Sequence, residues 1–115
     1  MKYRVIKAYA EPPARPIEIF KGERLKIIRE SDPSGEWPNW LYCQGDNKEG
    51  WIPRQIIAVE DTSGVSLEDY SAKEFNLIEG EILVSHRLLN GWIWGIKENK
   101  PGDFAWAPLN HLEKI

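Results

Sequence analysis

Three blocks of this sequence occur twice, in the same order. KGERLKII (21–28) and EGEILVS (79–85) share a Gly-Glu step followed by alternating aliphatics, which sets Gly22 against Gly80 and Leu25 against Leu83. NWLYC (39–43) and GWIWG (91–95) coincide at Trp40 and Trp92. GWIPRQII (50–57) and AWAPLNHL (105–112) coincide at Trp51 with Trp106 and at Pro53 with Pro108. The offsets are 58, 52 and 55 residues, so the blocks hold their length while the spacers change. Duplication followed by loop insertion and deletion produces that pattern, because loops absorb length changes that strands do not. Each copy then has about half of 115 residues, a size at which one core is marginal.

The blocks have the period of strands. Arg24-Leu25-Lys26-Ile27 alternates charge with aliphatic, the pattern of a half-buried strand, and Trp40-Leu41-Tyr42-Cys43 contains aromatic and aliphatic residues with no helical spacing. SDPSG (31–35), GDN (45–47), LNG (89–91) and NKPGD (99–103) are turn clusters between them. No segment carries a sustained 3.6-residue period with caps. Short strands at this spacing imply a small barrel or sandwich in each half. EDTSG (60–64) is the natural linker, which divides the chain into domains 1–60 and 65–115 joined by residues 61–64. By alternation, Leu25, Ile27, Leu41, Cys43, Ile52 and Ile57 form one core. Leu83, Ile93, Gly95, Ala107 and Leu112 form the other, with Phe75 and Leu77. The position shared by Cys43 and Gly95 is small in both copies, as a tight interior requires. Ile82 and Val84 replace the outward Arg24 and Lys26, and this apolar face is expected to dock the second barrel on the first.

Composition removes several classes. A net charge of −3 and a pI near 5.4 lack the basic field of a nucleic-acid surface. The aliphatic runs, such as IIAV (56–59), are too short to span a bilayer, so no membrane role is expected. MKYRVIKAYA mixes charge with apolar residues and reads as no signal-peptide core. One cysteine, Cys43, allows neither an internal disulfide nor a thiolate cage, and these features favour the cytoplasm. His86 and His111 lie in separate segments without metal-ligand spacing, and no P-loop or GxGxxG occurs, so no metal, cofactor or catalytic residue is expected. Ser66, Asp69 and His111 have the residue types of a triad but no nucleophile elbow beside them.

Each half resembles a Src homology 3 domain. SLEDY (66–70) resembles that family's ALYDY strand, FNLIEGE (75–81) its ELSFKKGE segment, GWIWG (91–95) its WWxxA/G strand and WAPLNHL (106–112) its GxxPSNYV turn. VIKAY (5–9), IEIFKGE (17–23), NWLYC (39–43) and GWIPRQII (50–57) take the same places in the first half. The resemblance implies an all-β chain of two small five-stranded barrels in tandem, packed against each other. It also implies non-catalytic binding of an extended peptide or protein segment.

Carried over by position, the family's groove would use Tyr9, Trp40 and Pro53 in the first half and Tyr70, Trp92 and Pro108 in the second. Trp37, in RESDPSGEWPN (29–39), would widen the first platform. Two aromatics are replaced in each half: Lys7 and Ile56 stand in the first, Glu68 and His111 in the second. The loop that carries acids in the family is here Glu11-Pro12-Pro13-Ala14-Arg15-Pro16, which reverses the charge and favours an acidic or neutral ligand. Its counterpart in the second half is shorter, with Asp69 and Glu74 as possible acids. Trp51 and Trp106 alternate to the outer face. Tyr9, Trp37 and Trp40 together could also form part of an aromatic cage for a methylated amine. The second reading of the chain is a structural or regulatory pair with vestigial grooves, docking to a larger assembly or to itself as a homo-oligomer.

Overall fold

The computed structural model describes all 115 residues, as twelve strands and two single turns of 3₁₀-helix with no α-helix. No helix is long and apolar enough to cross a membrane. The chain forms two compact units: residues 1–14 with 73–115, and residues 15–72. Each holds one five-stranded antiparallel sheet, consistent with the expected barrels.

In the second unit the strands are β3 (Arg24–Glu30), β4 (Trp40–Gly45), β5 (Lys48–Pro53), β6 (Ile57–Glu60) and β7 (Ser63–Ser66), in the order β5-β4-β3-β7-β6. A short pair, β2 (Glu18–Ile19) with β8 (Tyr70–Ser71), lies beside them in the same unit. The first unit contains β1 (Lys2–Val5), β9 (Ile82–Leu89), β10 (Trp92–Lys97), β11 (Lys100–Pro108) and β12 (Leu112–Lys114), in the order β11-β10-β9-β1-β12.

These units differ from the division 1–60 and 65–115, and the reason lies at residues 61–64. That segment is not a separate linker. Glu60 pairs with Ser63, leaving only Asp61 and Thr62 as the turn of a tight hairpin, with Asp61 at φ 55°. A two-residue connection holds β7 against β6. The second copy's first strand therefore occupies the place between β3 and β6, and β1 of the first copy takes the matching place between β9 and β12. The registers are equivalent: Leu25 faces Gly64 as Leu83 faces Tyr3, and Ile57 faces Ser66 as Leu112 faces Val5. The two copies have exchanged first strands.

Side-chain volume fits the exchange. A Cβ on Gly64 would stand 2.4 Å from Ile57 Cγ2, so the second unit has no room for a large residue there. The first unit places Tyr3 at that position, and its core has Ala107 where the second unit has Ile52. The second unit's core gathers Leu25, Leu41, Cys43, Ile52 and Ile57 as expected, with Ile27 at its margin, and adds Ile17, Ile19 and Ile56. The first unit's core contains Phe75, Leu77, Leu83, Ile93, Ala107 and Leu112, and adds Ala105 and the exchanged Tyr3 and Val5.

Two local features recur in both units. The turns Phe20–Glu23 and Ile78–Glu81 each close with a hydrogen bond from the Glu N–H to the carbonyl three residues back, at 3.0 and 3.1 Å. Gly22 (φ 88°) and Gly80 (φ 95°) hold the left-handed corner that a side chain would strain. The small residue at position 95 has a cause other than interior volume. A Cβ on Gly95 would lie 2.1 Å from the Val84 carbonyl oxygen, because a register shift between Trp94 and Gly95 brings the backbones together. Cys43, by contrast, is wholly buried within its core. Ile82 and Val84 are half-buried on β9, paired with Arg4 and Lys2 of β1.

Candidate functional site

The exchange regroups the expected site residues. Tyr9 belongs to the first unit, whereas Trp37, Trp40 and Pro53 belong to the second; Tyr70 is in the second unit, whereas Trp92 and Pro108 are in the first. Each tyrosine thus lies in the unit that holds the tryptophan and proline of the other copy, and of the expected cage Tyr9 falls in one unit and Trp37 and Trp40 in the other.

In the first unit, Tyr9 is fixed by both of its backbone groups. Its N–H donates to the Leu77 carbonyl at 3.1 Å and its carbonyl accepts from Leu77 N–H at 2.7 Å. The ring meets Trp92 edge-on, with centroids 5.9 Å apart and planes at 81°, and His111 likewise at 5.3 Å and 84°. Trp92 pairs across the sheet with Pro108, which is fully buried. Edge-to-face contacts of this kind add to plain area burial, so the cluster is a stiff aromatic wall. His111 Nδ1 lies 3.1 Å from both the Lys7 and Ala8 carbonyl oxygens, which only accept, so Nδ1 carries the proton.

Glu74 completes this cluster. Its Oε1 accepts from the Tyr9 hydroxyl at 2.6 Å, and the same hydroxyl lies 3.3 Å from the Glu11 carbonyl. Backbone bonds on either side, Phe75 N–H to the Trp106 carbonyl and Trp106 N–H to the Lys73 carbonyl, hold the segment in place. Burial pushes the Glu74 carboxyl above its ordinary range, against the Tyr9 hydrogen bond that lowers it. Burial also raises the Tyr9 phenol, and the Glu74 carboxylate adds to the rise. At neutral pH Tyr9 is a proton donor.

The second unit is built differently. Trp40 pairs with Pro53 across β4 and β5. Trp40 N–H donates to Ser31 Oγ at 3.0 Å, and Ser31 N–H to the Trp40 carbonyl at 2.9 Å, which anchors the connection containing the half-buried Trp37. The Tyr70 hydroxyl donates to the Trp51 carbonyl at 3.0 Å. Trp40 is 8% exposed, and its indole Nε1–H is buried without an acceptor.

Other candidates take structural parts. Asp69 Oδ1 accepts the Lys21 N–H at 2.9 Å and Ser66 Oγ donates to the Glu68 carbonyl, while His111 belongs to the other unit, so the three do not form a triad. Burial pushes the Cys43 thiol up to about 11, which leaves it inert. No cluster of three or more His, Cys, Asp or Glu gathers to hold a metal ion. Trp106 is buried against Trp94, and Trp51 lies on the outer face against Tyr42, with the Arg29 guanidinium over both rings at 4.4 Å from Tyr42 and 5.3 Å from Trp51.

The sequence offers Glu74 as a possible acid and His111 as a substituted groove position, and neither as a partner of Tyr9. Their partnership with Tyr9 follows from the exchange, for which the one available signal was the brevity of the connection between IAVE and SGVS.

Two five-stranded antiparallel sheets, one in each unit, define a pair of small all-β domains. Residues 2–60 match the variant SH3 domain family, and the chain belongs to that family. No solved structure matches the chain. Domains of this type are generally non-catalytic protein-interaction modules.

Proposed function

We propose that the chain is a tandem of two variant SH3 domains acting in the cytoplasm, and that it binds an extended peptide or protein segment through its aromatic clusters. The binding residues are Trp37, Trp40, Pro53 and Tyr70 in one cluster and Tyr9, Trp92 and Pro108 in the other. The observation that carries this reading is the Trp40 indole N–H. A buried donor without an acceptor costs about 1–3 kcal/mol. If the groups covering it move aside, a peptide carbonyl reaching this N–H beside Pro53 would recover that free energy and fix the direction of the bound segment. The unpaired, buried Cys43 suits a reducing compartment.

One observation favours the second reading, a structural or regulatory pair with vestigial grooves. Trp40 and Trp92 are only 8% and 9% exposed, and Pro53 and Pro108 are fully buried, so neither cluster offers a broad stacking surface. A titration with a diverse peptide library, followed in ¹H–¹⁵N correlation spectra, separates the two. Binding shifts the Trp40 indole resonance and nearby backbone amides, and the amide shifts are lost in Trp40→Phe, which keeps an aromatic ring without the N–H. Silence of that resonance across the library leaves the structural reading.

A further inference from the structure

β1 is held on both edges. Met1 and Tyr3–Val5 exchange backbone hydrogen bonds with β9 and β12, including Ser85 N–H to the Met1 carbonyl and Val5 N–H to the Glu81 carbonyl, both at 2.9 Å. Only Tyr3 and Val5 on this strand point into the core. Its outward residues make surface pairs, Lys2 with Glu98 at 2.7 Å and Arg4 with Glu113 at 3.0 Å. Every one of these contacts joins residues 1–14 to residues 73–115, and the two segments are connected only through residues 15–72, which form a unit of their own.

The second unit has no such dependence. Its equivalent strand, β7, arrives through the Asp61–Thr62 turn and cannot leave β6 without opening that hairpin. Nor can β1 replace β7, because Tyr3 would fall where Gly64 leaves no room beside Ile57. The slot between β9 and β12 therefore takes β1, and it cannot distinguish its own β1 from that of another chain. Pro12 and Pro13 at the end of the arm and Pro16 at the start of the second unit flank the junction, and their fixed φ resists a compact reversal there. A strand joined to the rest of its unit only through another unit, a stiff hinge and an identical acceptor are the elements of low-cost strand exchange between molecules.

We propose that residues 1–14 are an exchangeable arm and that the partner it fits is a second copy of this chain. In the resulting dimer each first unit is closed by the other chain's β1. Because Tyr9 travels on the same arm, the cluster of Trp92, Pro108 and His111 is completed by the other chain's Tyr9. At low concentration the tethered arm wins, since its effective concentration is on the order of millimolar for short linkers.

The test uses the cross-strand pair Arg4 and Ile82. The flanking hydrogen bonds make it a non-hydrogen-bonded pair, with Cα atoms about 4.5 Å apart, within disulfide reach. Full-length Arg4→Cys and Ile82→Cys chains are mixed, unfolded, refolded together across a concentration series and oxidised, and the 4–82 linkage is identified by peptide mass. The double variant, refolded dilute, is the control. The proposal expects an internal 4–82 bond in the double variant and an intermolecular 4–82 bond in the mixture, its yield rising with concentration. It is overturned if the double variant closes while the mixture gives no 4–82 linkage at any concentration. It is overturned equally if the double variant does not close, since arm and slot would then not meet.

Discussion

The two first strands occupy equivalent places by opposite routes. β7 reaches its slot by a two-residue turn and fills it with Gly64 and Ser66, while β1 arrives from the N-terminal end and fills its slot with Tyr3 and Val5. The difference has an energetic side. The second unit's slot contributes backbone pairing and little side-chain burial from its first strand, whereas the first unit obtains two core residues from its own. Equivalent positions have diverged in pairs, Gly64 and Ile52 in one unit against Tyr3 and Ala107 in the other. Once such pairs have diverged, the strands are no longer interchangeable, and the arrangement is fixed by volume as well as by the short turn.

The sharpest way to break this comparison is to empty the first slot. Tyr3→Ala removes a large buried ring and is expected to cost about 3–5 kcal/mol. Amide hydrogen exchange should show protection falling across β9–β12 while β3–β7 keep theirs; equal loss in both units would mean that Tyr3 does not serve one core alone. Next in size is the reverse change in the other slot. Gly64→Val places a Cβ 2.4 Å from Ile57 Cγ2 and should cost about 1–3 kcal/mol through overpacking, confined to β3–β7. Adding Ile57→Ala should return part of that loss in a double-mutant cycle, and strict additivity would sink the steric account.

Much of the fold was legible before any coordinates. The repeat, the strand periods and most of both cores followed from alternation, because a half-buried strand must place apolar residues on one face. What stayed hidden was partnership. Tyr9 closes VIKAY, a block that belongs to the first copy in sequence, yet its ring contacts Trp92 and its hydroxyl Glu74, in the second copy. Local pattern says which residues face inward but not which core receives them. The information was in a distance: between Glu60 and Ser63 there is room for a turn and not for a crossing. Asp61 and Thr62 read as part of a polar linker because serine and glycine follow, although Ser63 and Gly64 are ladder residues.

A third prediction probes a likeness that alignment does not display. In each unit a lysine ties the turn glutamate to a nearby backbone carbonyl. Lys48 at the start of β5 binds Glu23 at 2.6 Å and the Glu18 carbonyl at 2.8 Å, and Lys97 at the end of β10 binds Glu81 at 3.0 Å and the Asn76 carbonyl at 2.7 Å. They come from different strands and never align, so the second unit carries Gly45 where the first carries Lys97. Lys97→Met should cost up to about 1 kcal/mol, and Lys48→Met somewhat less because its pair is the more exposed, 27% and 26% against 16% and 21%. Thermal unfolding of the two variants checks the order.

The smallest effect separates the two aromatic clusters by pH. In the first unit the Tyr9 hydroxyl bonds to Glu74, whereas in the second the Tyr70 hydroxyl bonds to the Trp51 carbonyl. Burial raises the Glu74 carboxyl above its ordinary value of 4.5 in the folded chain. The folded state then holds this proton more tightly than the unfolded state does, so the contribution to stability is full below about 4.5. It is lost as pH rises through the raised folded value. Glu23 and Asp32, both held below their ordinary ranges, act in the opposite sense, Glu23 through Lys48 and the Phe20 N–H against its own burial, and Asp32 through Ser34. Their part cancels when Glu74→Gln is compared with the parent chain. The amide oxygen still accepts from Tyr9, so the variant removes the titration and keeps the bond. The variant should gain stability relative to the parent as pH rises above about 4.5 and level off once pH passes the raised folded value, as denaturant midpoints measured across a pH series would show. A difference that shrinks over that range would place the Glu74 carboxylate in a setting that favours its charge.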